Sequence, residues 1–318
     1  MQGGRVLVIV APGQGAQTPG FLSPWLELPG MPERFAAWSQ TTGLDLVRLG
    51  TEGDAEEIRD TAVAQPLLVG AALAAAHALF GDLEAAPKSV GAVAGHSVGE
   101  FAAGVLAGTL TEHDALTLIR ERGRAMAAAS AVTETGMTAL LGGDRDDVLA
   151  ALDKHGLTPA NDNGPGQIVA AGTMEQLAGL ADDPPAKARL RPLSVAGAFH
   201  THHMAPAVDR LRAAAAGVTA ADPATRLLSD RDGAIVTSGP DFLERLIEQV
   251  SAPVRWDSCM NTLTELGVTA LIELPPAGTL TGIARRAMRG VELCALKTPD
   301  DIAAAQALIA GHSDVKGA

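Results

Sequence analysis

SVGAVAGHSVGEFAAGVLA, residues 89–107, is the stretch on which the reading of this chain turns. Its opening is small and apolar, as a buried strand requires, and Ala102 and Ala103 continue a helix after it. Between the two lies Gly95-His96-Ser97-Val98-Gly99, a G-x-S-x-G pattern. A strand that turns sharply into a helix leaves no room for bulky neighbours, so glycine is needed on both sides of the serine. The turn exposes the serine hydroxyl and aims backbone N–H groups of the helix start at the same point, where they can stabilise an oxyanion. Ser97 is therefore the candidate nucleophile.

Outward from this turn the chain alternates strand and helix. A strand over Arg5–Ala11 ends at Pro12-Gly13, Gln65–Phe80 reads as a helix with Pro66 in its first turn, and Thr111-Glu112-His113-Asp114 opens a long helix. That alternation predicts an α/β fold with a mainly parallel sheet. The middle reads differently. A strand at Met137–Leu141, a helix at Asp144–His155, strands at Thr158–Asn161 and Gln167–Ala171, a helix capped by Thr173, and a strand at Arg189–Val195 follow in turn. The order β-α-β-β-α-β is that of a ferredoxin-like module. The expectation is a large α/β unit from residues 1–131 and 197–318, carrying an inserted ferredoxin-like subdomain at 132–196. The tail from Gly311 reads as frayed.

Composition removes several function classes. The 318 residues are 47% hydrophobic and 19% charged, enough for a large core and too little charge for long disorder. The two cysteines, Cys259 and Cys294, lie far apart, which argues against a disulfide framework and for a reducing, cytoplasmic compartment. The N-terminal apolar run is too short for a signal peptide. Leu67–Phe80, interrupted by His77, is too short to span a bilayer and reads as a buried helix. A net charge of −13, 3% aromatics and no tyrosine disfavour nucleic acid and anionic membranes as partners. An anionic partner would have to meet a local basic patch. Nothing demands a dimer, so a monomer is expected.

Gly13-Gln14-Gly15-Ala16-Gln17 follows the first strand, as a phosphate cradle would. The detail fails: Phe21 and Leu22 stand where a P-loop needs Lys and Ser/Thr, and Thr18 stands where a dinucleotide fingerprint needs Gly or Ala. A tight turn bringing the N–H of Gln14 against the serine fits better. Phe199-His200-Thr201-His202-His203 is the densest histidine cluster. Its spacing suits no single helix face and no acid lies near it before Asp209, so no metal site is expected. One of these histidines can be the base that serine needs, because imidazole titrates near neutrality. The third member stays open: Asp162, Asp209, Asp230 and Asp232 are candidates, and a backbone carbonyl could orient the histidine instead.

Taken together these residues resemble malonyl-CoA:acyl carrier protein transacylases and the acyltransferase domains of polyketide and fatty-acid synthases. The resemblance runs from Pro12 to about Met288, with elements in the family's order. Residues 12–17, PGQGAQ, look like P-G-Q-G-[SA]-Q, and residues 95–100, GHSVGE, like G-H-S-x-G-E. Arg122-Gly123 lies where the family keeps a substrate arginine, and residues 136–139, GMTA, resemble its G-x-M-A stretch. Residues 161–167, NDNGPGQ, resemble N-x-N-x-P-x-Q; residues 197–201, GAFHT, resemble the stretch with the catalytic histidine. Residues 249–256, QVSAPVRW, are similar to Q-x-x-x-P-V-[RQ]-W. Residues 274–278, LPPAG, depart from the usual G-P-G turn, and His202 replaces a residue often proline or cysteine.

The resemblance implies roles. Ser97 would be acylated with His200 as its base, and Gln249 would orient His200 through its main-chain carbonyl. The N–H groups of Gln14 and Val98 would form the oxyanion hole. Arg122 would hold the malonyl carboxylate, and Phe199 would crowd an α-methyl branch. Asn161 and Asn163 would contribute to substrate binding. No permanent cofactor is implied. The substrates would be malonyl-CoA, a coenzyme A thioester, and the phosphopantetheine thiol of an acyl carrier protein. Lys187, Arg189, Arg191, Arg285, Arg286 and Arg289 could face that acidic partner. A serine thioesterase with water as acceptor, and a non-enzymatic scaffold, are the competing readings.

Overall fold

The computed structural model describes residues 5–313. Its strands are β1 Val6–Ala11, β2 Ala92–Gly95, β3 Thr135–Gly142, β4 Thr158–Asp162, β5 Gln167–Thr173, β6 Ala188–Pro192, β7 Arg226–Leu228, β8 Ile235–Val236, β9 Val254–Arg255, β10 Val268–Glu273 and β11 Glu292–Ala295. Helices of eight residues or more are α1 Met31–Thr42, α2 Thr61–Phe80, α3 Gly99–Leu106, α4 Glu112–Ser130, α5 Arg145–Lys154, α6 Met174–Asp182, α7 Ala205–Ala215, α8 Gly239–Glu248, α9 Trp256–Glu265, α10 Thr279–Ala287 and α11 Ile302–Ser313.

The larger sheet has the order β11-β10-β1-β2-β7-β8, with every pairing parallel except β7–β8. Helices cover both its faces, which is why β1 and β2 read as unbroken apolar runs rather than alternating ones. The smaller sheet has the order β6-β3-β5-β4-β9. Strands β3 to β6 pair antiparallel in the ferredoxin-like order, with α5 and α6 as their connections. The expected class, a hydrolase-like α/β core with a ferredoxin-like part, is the class observed. One strand was not foreseen: β9, from outside 132–196, adds parallel to β4, with Asn161 opposite Val254.

Several boundaries differ from the sequence reading. Helix α2 begins at Thr61, not Gln65, because Asp60 caps it by accepting from the Ala62 N–H. Pro66 is thus inside the helix, where its missing N–H costs one helical bond. The full 20-residue helix, at mean hydropathy 1.7, is long and apolar enough to cross a membrane by length and composition. It is a core helix because 83% of its most apolar window is buried within the protein, not because it is short. The last strand of the insert stops at Pro192, and the strand before the serine starts at Ala92. The segment before α2, where no element was read, holds α1, whose Met31, Phe35 and Trp38 recur at helical spacing and are buried. Of the tail from Gly311, Gly311–Ser313 are the end of α11, and the rest lies outside the described residues.

The two glycines of the serine turn are sterically required. A Cβ at Gly95 would lie 2.1 Å from the Glu100 nitrogen, and one at Gly99 would lie 2.0 Å from the Ala11 carbonyl oxygen. Strand β1 and the start of α3 pass that closely, so only glycine fits. Ser97 itself has φ +53°, the strained conformation that lifts its side chain off the turn.

Candidate active site

Ser97 stands between β2 and α3, and His200 stands in the loop between β6 and α7, also with positive φ, +60°. Ser97 Oγ lies 2.9 Å from His200 Nε2. On the far side of the ring, Nδ1 lies 2.8 Å from the main-chain oxygen of Gln249. A carbonyl can only accept, so Nδ1 carries the proton and Nε2 presents its lone pair to the serine. None of the four aspartates completes a triad. Asp162 pairs with Arg145 at 2.6 Å, Asp232 pairs with Arg245 at 2.9 Å, Asp209 is exposed, and Asp230 accepts from the Ser97 N–H at 2.7 Å. The orienting group is the carbonyl of Gln249.

Arg122 is the surprise in a run of arginines, since its neighbours Arg120 and Arg124 are half-buried and exposed. It is fully buried on α4. Its guanidinium donates to Ser97 Oγ at 3.0 Å, to Gln249 Oε1 at 2.7 Å and to Gln65 Oε1 at 2.8 Å, while its Nε has no partner. Burial lowers its pKa to about 10 against the pull of Asp230 and Glu100, which leaves it charged at neutral pH. Burial, helped by Arg122, lowers the pKa of His200 to about 3, so the imidazole is neutral and ready to accept a proton.

A cavity of about 240 Å³ opens over these groups. Gln14, Val98, Asn161, Asn163 and Phe199 line it with Ser97, Arg122 and His200. Gln249 is beneath, touching Ser97, Arg122 and His200 at once. Asn163 Oδ1 lies 2.9 Å from His96 Nε2, joining the insert to the serine turn. The apolar part of the wall is Met137, Ala139, Val169, Leu193 and Val195, with Leu280 and Ile283 of α10. All six proposed docking cations are exposed. Arg286 donates to Gln167, itself a lining residue, at 3.2 Å. Among the described residues no cluster of three or more His, Cys, Asp or Glu side chains is arranged for a metal.

Sequence reasoning missed Gln65, read only as a helix start, and Glu100, which is fully buried below the serine. The signals for Glu100 were its place at the end of the G-H-S-x-G-E pattern and in the first turn of α3, where an acid suits the helix dipole.

A family model described as acyl transferase domain matches residues 8–313. The chain belongs to the acyl transferase family. Within the family it is similar to a Mycobacterium tuberculosis protein named malonyl CoA-acyl carrier protein transacylase, with 54% identity over 93% of this chain and 98% of the relative. The Bacillus subtilis protein of the same name is 34% identical over 93% of this chain and 95% of its own length. Among solved structures, the crystal structure of MCAT from Mycobacterium tuberculosis superposes with a TM-score of 0.90 at 53% identity, covering 94% of this chain and 98% of that one. A malonyl-transacylase in complex with a type II polyketide-synthase acyl-carrier protein gives 0.87 at 30% identity, covering 95% and 99%. The family resemblance read from the motifs is therefore correct, and the chain is an acyltransferase.

Proposed function

We propose that this acyltransferase moves a malonyl group from malonyl-CoA to the phosphopantetheine thiol of an acyl carrier protein, by way of a malonyl ester on Ser97. The observation that carries the reading is the buried Arg122 guanidinium 3.0 Å from Ser97 Oγ. A planar cation in a dry pocket selects an acyl chain that ends in a carboxylate, because a chain without one leaves the charge unpaired. The names of the relatives and the carrier-protein complex of a structural neighbour support the same substrates.

The geometry supports the following cycle. His200 Nε2 takes the Ser97 proton as Oγ attacks the thioester carbonyl, and the N–H groups of Gln14 and Val98 receive the oxyanion. The C–S bond breaks, the proton passes from His200 to the departing sulfur, and coenzyme A leaves. The carrier-protein thiol then gives its proton to His200 and attacks the ester, and Ser97 recovers its proton. Arg122 holds the malonyl carboxylate throughout, and Phe199 crowds an α-methyl branch. Exposed Lys187, Arg189 and Arg191 on the insert and Arg285, Arg286 and Arg289 on the large unit would give the acidic carrier a basic contact on an otherwise anionic protein. Both cysteines are free, in keeping with a reducing, cytoplasmic compartment.

The test is mass spectrometry after incubation with malonyl-CoA. A malonyl adduct on Ser97 that disappears when holo acyl carrier protein is added is the expected result. No adduct, or release of free malonate without a carrier as fast as transfer with one, would overturn the reading.

A further inference from the structure

Directly under the serine turn, two carboxyl groups meet in the core. Glu100, from the first turn of α3, and Asp230, from the loop after β7, are both fully buried. Asp230 Oδ2 accepts from the Ser97 N–H at 2.7 Å, and the Asp230 N–H donates to Glu100 Oε1 at 2.8 Å. The side-chain amide of Gln249 completes the group. Its Nε2 faces Glu100 Oε2 at 2.5 Å, the Ser97 carbonyl oxygen at 3.2 Å and both Asp230 oxygens at 3.3 Å. Its Oε1 faces away, toward Arg122 at 2.7 Å.

An amide can sit in such a slot in two ways, and here only one is tolerable. Reversed, it would set its oxygen against four oxygens and its NH₂ against a guanidinium. The carboxyl pair thus dictates which end of Gln249 meets Arg122. Two full negative charges side by side in a dry core are prohibitive, whereas one shared proton leaves a single negative charge to balance Arg122. We propose that Glu100 and Asp230 act as a positioning pair that shares one proton and turns Gln249 so that Arg122 is presented to the carboxylate of the acyl chain.

The surroundings fit one proton on the pair. Burial, then repulsion from Asp230, holds the Glu100 carboxyl well above its ordinary range, and burial raises that of Asp230 to about 6. The titratable and charged groups facing the pair are Arg122 from α4 and Cys259 from α9. Cys259 stays a neutral thiol, pushed up by burial and by the same two acids, and His200 stays neutral, so Arg122 is the counter-charge. A second proton, added on Asp230 in acid, creates no repulsion between carboxylates within the pair. Loss of the shared proton in alkali puts two carboxylates together and should displace Gln249.

The proposal rests on the malonyl-transfer reading, and the experiment separates the two. The rate of Ser97 acylation is measured with malonyl-CoA and with acetyl-CoA, in the parent enzyme, Glu100→Gln and Asp230→Asn, alongside melting temperatures. Glu100→Gln puts an NH₂ against the NH₂ of Gln249 and should lower kcat/KM for malonyl-CoA by about 10–100-fold, mainly through KM, the range for losing one hydrogen bond to a charged group. The acetyl rate should change by no more than about threefold. Asp230→Asn leaves a single carboxylate with no second one to repel it, so the alkaline fall in the malonyl rate should disappear. Equal loss with both thioesters in a folded Glu100→Gln enzyme, or an unmoved alkaline limb in Asp230→Asn, would sink the proposal. Absence of a malonyl-serine adduct in the parent enzyme would instead sink the function on which it rests.

Discussion

The floor and the wall of the cavity are built on opposite principles. The floor is polar and fully determined: Ser97, His200, Arg122 and Gln249 are tied by bonds of 2.7–3.0 Å, each group naming the orientation of the next. The wall is mostly apolar, drawn from the smaller sheet and α10, with Asn161, Asn163 and Gln167 as its polar members. A polar floor in a dry site is costly unless every partner is in place, so it tolerates almost no change. An apolar wall acts by volume, and volume can be altered in small steps. The floor should therefore decide which charge the acyl chain carries, and the wall should decide its shape.

Removing the cation is the harshest test of that division. Arg122→Ala should cut kcat/KM for malonyl-CoA by about 10²–10³-fold, the consequence of losing a buried charge pair, while leaving acetyl-CoA unchanged or improved. Equal loss with both thioesters would show that the floor does not read charge. The second test uses pH. An imidazole titrating at its ordinary value would lose about tenfold of its base form by pH 5.5. With His200 held to about 3, the acylation rate from pH 7.5 to 5.5 should change by less than about threefold. A fall centred near pH 6.5 would mean that the site is wetter than its geometry indicates.

The wall is expected to give smaller effects. Phe199→Ser should raise the methylmalonyl-CoA to malonyl-CoA rate ratio by about tenfold, since one methyl group is worth about 1–3 kcal/mol in a fitted pocket. An unchanged ratio would remove Phe199 from the specificity account. Smallest of all, reversing Arg189 and Arg191 to Glu should raise KM for the carrier protein about three- to fivefold at low salt and less at high salt, with the acylation half-reaction untouched. A salt-independent change would argue against electrostatic docking there.

Much of this was legible without coordinates. Small apolar residues ending in Gly95 and a serine between glycines specify a strand, a turn and a helix, because no other local conformation suits them. The capping box at Thr173 formed in full, with both reciprocal bonds present. Elsewhere local signals failed for identifiable reasons. The start of α2 was misplaced because Pro66 resembles a first-turn proline, while the true cap, Asp60, lies six residues earlier. Strand β9 has only two residues and no pattern of its own; its pairing with β4 creates it.

The sequence alone determined the order of the elements, the nucleophile and the histidine to look for, since these depend on residue type and near neighbours. Only the tertiary structure decided that Arg122 is buried while Arg120 and Arg124 are not, that a carbonyl rather than an aspartate orients His200, and that Glu100 and Asp230 meet. Those contacts join residues 25–152 positions apart. The register of β2 against β7 brings Asp230 to Glu100, and no property of either residue in its own segment foretells the encounter.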